Sequence, residues 1–182
     1  MNDSELGKKM VEESELEPFL EEYEYVTGNR MKIVNRSERP DFHCRLEDRT
    51  DVGVELVKLI QDPQTRLWRE IIHYDSLMDT MDASIAIQEL IYKKEKKRKS
   101  QGWAFPSHTI LVVQLIDAEA DQLKDYFDDV VFEELCATGF MEIWLADYTI
   151  IDPYSTVQLF GIKPDRWRGL HPHLWSGTKP WG

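Results

Sequence analysis

Glu55 stands inside Val52 to Ile60, a run that is otherwise apolar except for Lys58. An ionised carboxylate in such a strand is costly unless it is paired, protonated or bound to a metal. Residues 41–47 alternate. Phe42, Cys44 and Leu46 share one face, and Asp41, His43 and Arg45 share the other, which is the period of a strand. Glu47 to Asp51 is a polar turn, so a hairpin is expected. Its arms would bring Asp41 within reach of Glu55. Two carboxylates with a strand carbonyl and waters suit Mg²⁺ or Mn²⁺, which favour oxygen ligands. Such an ion can activate water and stabilise charge on a phosphate oxygen. The competing reading has Asp41 capping a turn and Glu55 pairing with a nearby Arg or Lys. A carboxylate inside a buried strand brings the functional reading level with that one.

The elements that must hold these residues follow from periodicity. Leu16, Phe19, Leu20 and Tyr23 fall at helical spacing after a capping box at Ser14 and Glu17, so a helix is expected over 15–26. Gly28-Asn29 ends it. Met31 to Asn35 is a short strand candidate. Asp62-Pro63 opens one helical stretch through Trp68, Ile71 and Ile72. A second carries Ile85, Ile87, Leu90 and Ile91. Thr109 to Ile116 reads as a strand buried on both faces. Residues 118–136 follow a helical pattern. Met141 to Tyr148 and Thr156 to Ile162 are the remaining strands. This order predicts an α/β fold with a mixed central sheet flanked by helices.

The run Arg39-Pro40-Asp41-Phe42, a polar turn, and then Gly53-Val54-Glu55-Leu56-Val57 resembles the PD-(D/E)XK nuclease superfamily. That resemblance covers roughly residues 14–116 and implies a restriction-endonuclease-like core. It implies Asp41 and Glu55 as catalytic metal ligands, with Leu56 offering its carbonyl and Glu17 or Glu21 as an outer ligand. The family's lysine position is occupied here by Val57. Lys58 follows, but strand alternation turns it to the opposite face. Some members recruit a lysine from the next helix, for which Lys93, Lys94 and Lys97 are candidates. Lys94 and Lys97 lie three apart on one face and are the expected catalytic lysines. The implied function is a metal-dependent, nuclease-like phosphodiesterase. The alternative is a catalytically inactive protein of that fold whose acidic surface engages a basic protein partner, as an inhibitor or immunity-type protein does.

Six of the 22 basic residues fall between Lys93 and Lys99. Lys93, Lys96, Arg98 and Lys99 are therefore expected to meet a phosphate backbone, although cations also complement a helix C-terminus. They sit on an acidic chain of net charge −12, with 34 Asp and Glu, which argues against a generic nucleic-acid binder. The 182 residues suggest one domain, with an acidic, mobile start over 1–13 and a Trp- and Pro-rich tail over 163–182. The apolar runs are too short for a membrane helix. Met1 to Glu17 carries no apolar signal region, so a cytoplasmic location is the expectation. Cys44 and Cys136 read as reduced core residues. His43 could assist a metal, but a hydrogen-bonded structural role is favoured. His171-Pro172-His173 is a weak metal motif, and Pro164-Asp165 is a decoy with no acid-bearing strand after it. Trp167, Trp175 and Trp181, with Arg166 and Arg168, could stack on bases. Packing across the domain or a homodimer contact is the favoured reading of this tail.

Overall fold

The computed structural model describes residues 3–73, 76–151 and 155–173. A seven-stranded mixed sheet runs in chain order. Its strands are β1 (Met31–Arg36), β2 (Phe42–Leu46), β3 (Asp51–Leu59), β4 (Thr109–Leu115), β5 (Glu142–Asp147), β6 (Gln158–Lys163) and β7 (Gly169–Leu170). β3, β4 and β5 are parallel neighbours at the centre. β1 and β2 extend one side antiparallel, and β6 and β7 the other. Every residue of β4 and β5 is buried, as expected for strands covered on both faces.

Helices supply that cover. α1 (Asp3–Thr27) places Leu16, Phe19 and Tyr23 against Val52, Val54, Val112 and Trp144. On the opposite face α3 (Thr80–Ser100) brings Ala83, Ile87 and Ile91 onto Leu111, Val113 and Leu115. α4 (Ala120–Leu123) and α5 (Asp129–Cys136) complete this layer through Leu123, Phe132 and Leu135. The remaining helix, α2 (Pro63–His73), buries none of its residues.

Three expectations are corrected. The first helix begins at Asp3, so residues 3–13, expected as a mobile lead-in, are helical. Ser14 is therefore no N-cap; its hydroxyl donates to the Val11 carbonyl at 2.8 Å within the helix. The helical stretch over 118–136 is interrupted, because Asp128 caps a new helix by accepting from the Val131 amide at 2.9 Å. Trp167 packs against Trp144 at 6.4 Å between ring centroids, in line with a packing role. Trp175 and Trp181 lie outside the described residues. Among the described residues no helix is long and apolar enough to cross a membrane.

Candidate functional site

β2 and β3 part company at the site. The ladder between them begins with Phe42 opposite Val54, so Asp41 falls beside Glu55, just before β2 starts. From Glu55 onward β3 keeps only β4 as a neighbour. The Leu56 amide is thus left without a sheet partner, and it donates to Asp41 Oδ2 at 2.8 Å. The Asp41 amide in turn donates to Glu55 Oε2 at 3.2 Å. Within a strand, the amide and carbonyl of one residue leave on the same edge, so the Leu56 carbonyl faces the side that Asp41 occupies. Gly53 makes the approach feasible, because a Cβ there would drive into the Pro40 ring and push Asp41 away.

Glu55 is 5% exposed. Its Oε1 carries an ion pair with Lys94 Nζ, reached from the facing side of α3. Lys94 is thus the lysine of the three candidates that meets Glu55. Burial is the main influence on Asp41, followed by the charge of Glu55, and together they raise its carboxyl from 3.8 to about 7. The Leu56 amide and Lys94 pull the other way but do not outweigh them. Two facing carboxylates, one of which resists ionisation, are short of positive charge. A cation beside Asp41 would supply it.

A cleft of about 350 Å³ opens along this edge, lined by Asp41, by Leu56, Val57, Lys58 and Gln114 of the sheet and by Lys8, Glu12 and Glu15 of α1. Glu12 adds to the upward push on Asp41, while Glu15 pairs with Lys58 at 2.6 Å. Glu12 and Glu15 are therefore the α1 acids at the site. Glu17 and Glu21, the expected outer ligands, instead line a groove with Arg30 and Lys32. No local signal marks this, because which turn of α1 meets the cleft depends on how the whole helix docks. Among the described residues no three His, Cys, Asp or Glu side chains gather closely enough to hold an ion by themselves. The Asp41–Glu55 pair with a strand carbonyl fits an ion that keeps most of its ligands as water, as Mg²⁺ does.

The basic run divides. Lys94 reaches Glu55. Lys97, one turn on and half-buried, makes no ion pair among the described residues. Lys93 and Lys96 are exposed. Arg98, expected at a phosphate backbone, is committed inside the protein. It donates twice to Glu95, at 2.7 and 3.0 Å, and once to the Pro106 carbonyl at 2.9 Å. Its guanidinium also lies 5.6 Å from the Phe140 ring centre. Lys99 leans on the same Glu95 at 3.4 Å. Burial raises the Glu95 carboxyl, but the Arg98 bonds and the Gly139 amide outweigh it and hold the group down to about 2. The i, i+3 spacing of Glu95 and Arg98 is the signal that could have found this pair.

His43 does not join the site. Its Nε2 lies 2.9 Å from Asp51 Oδ1, and its ring packs on Phe105, a structural role. His171 Nε2 is engaged with the Trp167 carbonyl at 2.7 Å. Asp165, of the decoy Pro-Asp pair, accepts from Arg168 at 3.1 Å. Comparison of the chain with protein-family models, with curated proteins and with solved structures finds no match.

Proposed function

We propose that this chain is a metal-dependent phosphodiesterase of the PD-(D/E)XK nuclease type, built on a restriction-endonuclease-like core. The observation that carries the reading is the cluster of Asp41, Glu55 and Lys94 where β2 begins and β3 runs on past it. Asp41, Glu55 and the Leu56 carbonyl would hold Mg²⁺ or Mn²⁺. Such an ion acidifies a bound water and neutralises charge on a phosphate oxygen. Lys94 pairs with Glu55 and places an ammonium with three donors beside the carboxylate pair. The Leu56 amide fixes the rotamer of Asp41, and Gly53 admits the Pro40 ring that sets its position. Nucleic acid is the substrate class, met through the exposed lysines of α3.

Calorimetric titration with Mg²⁺ and Mn²⁺ tests the metal. Wild type should bind, and Glu55→Gln should weaken binding at least tenfold, on the order of 1.4 kcal/mol. A wild type that binds neither ion removes the basis of the reading. DNA and RNA cleavage assays with Asp41→Asn as the inactive control then test the chemistry. A second reading rests on Glu55, whose two oxygens are already engaged by Lys94 and the Asp41 amide. A site satisfied in this way suits a protein that keeps the fold and binds a basic partner through its −12 charge. Metal binding without cleavage of either nucleic acid would select it.

A further inference from the structure

α2 is an inverted amphipathic helix. Its polar stripe faces the body of the protein. Arg66 reaches Asp117 at 3.3 Å, an acid only 2% exposed that also accepts the Gln61 amide at 3.0 Å. Arg69 lies 3.8 Å from Asp82 in the first turn of α3. Leu67, Trp68, Ile71 and Ile72 occupy the opposite side at i, i+4 spacing, and each is more than half exposed. Ile60 just before the helix, and Met81 and Ile85 on the adjoining turns of α3, are also exposed. An isolated helix of 11 residues falls below the ~12–15 needed for even marginal stability in water. The ion pairs to Asp117 and Asp82 tie down the polar side and leave the apolar side without cover. The Asp62 cap, which accepts from the Gln64 and Thr65 amides at 3.1 Å, starts the helix but cannot cover its apolar side.

We infer that α2 is a homodimerisation element, its apolar stripe covered by α2 of a second copy across a two-fold axis. The apolar side chains just named, each about half exposed or more, offer area of the order that one partner gives a standard interface, ~800 Å². Charge permits self-pairing here. The whole chain carries −12, yet α2 holds Arg66 and Arg69 against Glu70, so the acidic excess that would keep two copies apart is absent from this helix. A two-fold arrangement sets each stripe against its own copy, as a self-complementary interface requires. Trp68 is the anchor expected near the centre. This inference does not depend on the proposed catalytic reading.

Sedimentation velocity of the full chain at rising concentration tests it. Wild type should show the mass of two chains at micromolar concentration. Ile71→Glu and Trp68→Ala should each weaken the dimer at least tenfold while keeping the wild-type circular dichroism spectrum, since neither side chain is buried within the protomer. Val130→Glu, on the exposed side of α5, should leave the dimer intact. Hydrogen exchange of the α2 amides should slow as concentration rises, and this response should disappear in Ile71→Glu. A wild type that stays monomeric at high micromolar concentration overturns the inference and points to the chain's own tail, a lipid surface or a different protein as the cover. A dimer that neither α2 substitution weakens overturns it as well.

Discussion

Asp41 gives and receives one backbone hydrogen bond at the site, yet burial and the Glu55 charge hold its carboxyl up at about 7. The sign of the consequence follows from linkage. Between 3.8 and about 7 the folded protein binds more protons at Asp41 than the unfolded chain does, so stability falls as pH rises through that window. Asn can accept the Leu56 amide without ever carrying charge. Asp41→Asn should therefore match wild type below about pH 4 and exceed it by about 1 to 3 kcal/mol at pH 8. Urea denaturation at the two pH values measures the gap, and an equal gap at both would rule out Asp41 as its origin. Saturating Mg²⁺ at pH 8 should narrow the difference by stabilising wild type alone. Lys94 poses the complementary case. Lys94→Met leaves Glu55 buried without its cation and should cost about 3 kcal/mol. Adding Glu55→Gln should recover most of that loss. If the double variant is as unstable as the single one, the lysine stem matters through packing and not through charge.

At the scale of elements, the meeting of β2 and β3 depends on Gly53. It pairs with His43 across the ladder while the Pro40 ring sits against its Cα. Gly53→Ala should cost about 1 to 3 kcal/mol by overpacking, because a proline ring cannot swing aside as a flexible side chain would. Pro40→Ala in the same chain should restore part of the loss, a comparison that thermal melts of the single and double variants make directly. A neutral Gly53→Ala would mean that the Pro40 turn yields freely and does not fix Asp41. The β2–β3 hairpin and its two acids were legible in the sequence, since strand alternation and an acid in an apolar run are local signals. The reach of Lys94 to Glu55 was legible only as a choice among three lysines. Helix spacing says which residues share a face but not which turn lies over a given strand. The same gap hid Glu12 and Glu15 behind Glu17 and Glu21. The helix α2 was legible as a helical stretch through Trp68, Ile71 and Ile72, while the outward turn of its apolar side depends on Asp117 and Asp82, which lie outside it.

Over the whole molecule, a charge of −12 sets how strongly any nucleic acid can be held. Of the six cations between Lys93 and Lys99, Lys94 is spent on Glu55, and Arg98 and Lys99 on Glu95. Among the described residues Lys93, Lys96 and Lys97 are left without an ion pair. Each phosphate contact releases counterions, and log K falls with log salt at a slope of about −0.9 per contact on duplex DNA. Three free lysines predict a slope of about −3, whereas the whole run engaged would give about −5. Anisotropy of a labelled duplex titrated with metal-free protein over a range of salt reads this slope. Lys96→Ala and Lys97→Ala should each flatten it by roughly 1. Arg98→Ala should leave it unchanged but destabilise the fold, because it takes two hydrogen bonds from the buried Glu95 and one from the Pro106 carbonyl. A slope near −5 would mean that Arg98 and Lys99 leave Glu95 when nucleic acid arrives. No measurable binding at low salt would mean that the acidic body prevails over the α3 lysines. The carboxylate pair would then belong to a protein whose partner is basic, and affinity for that partner would be the property that salt weakens.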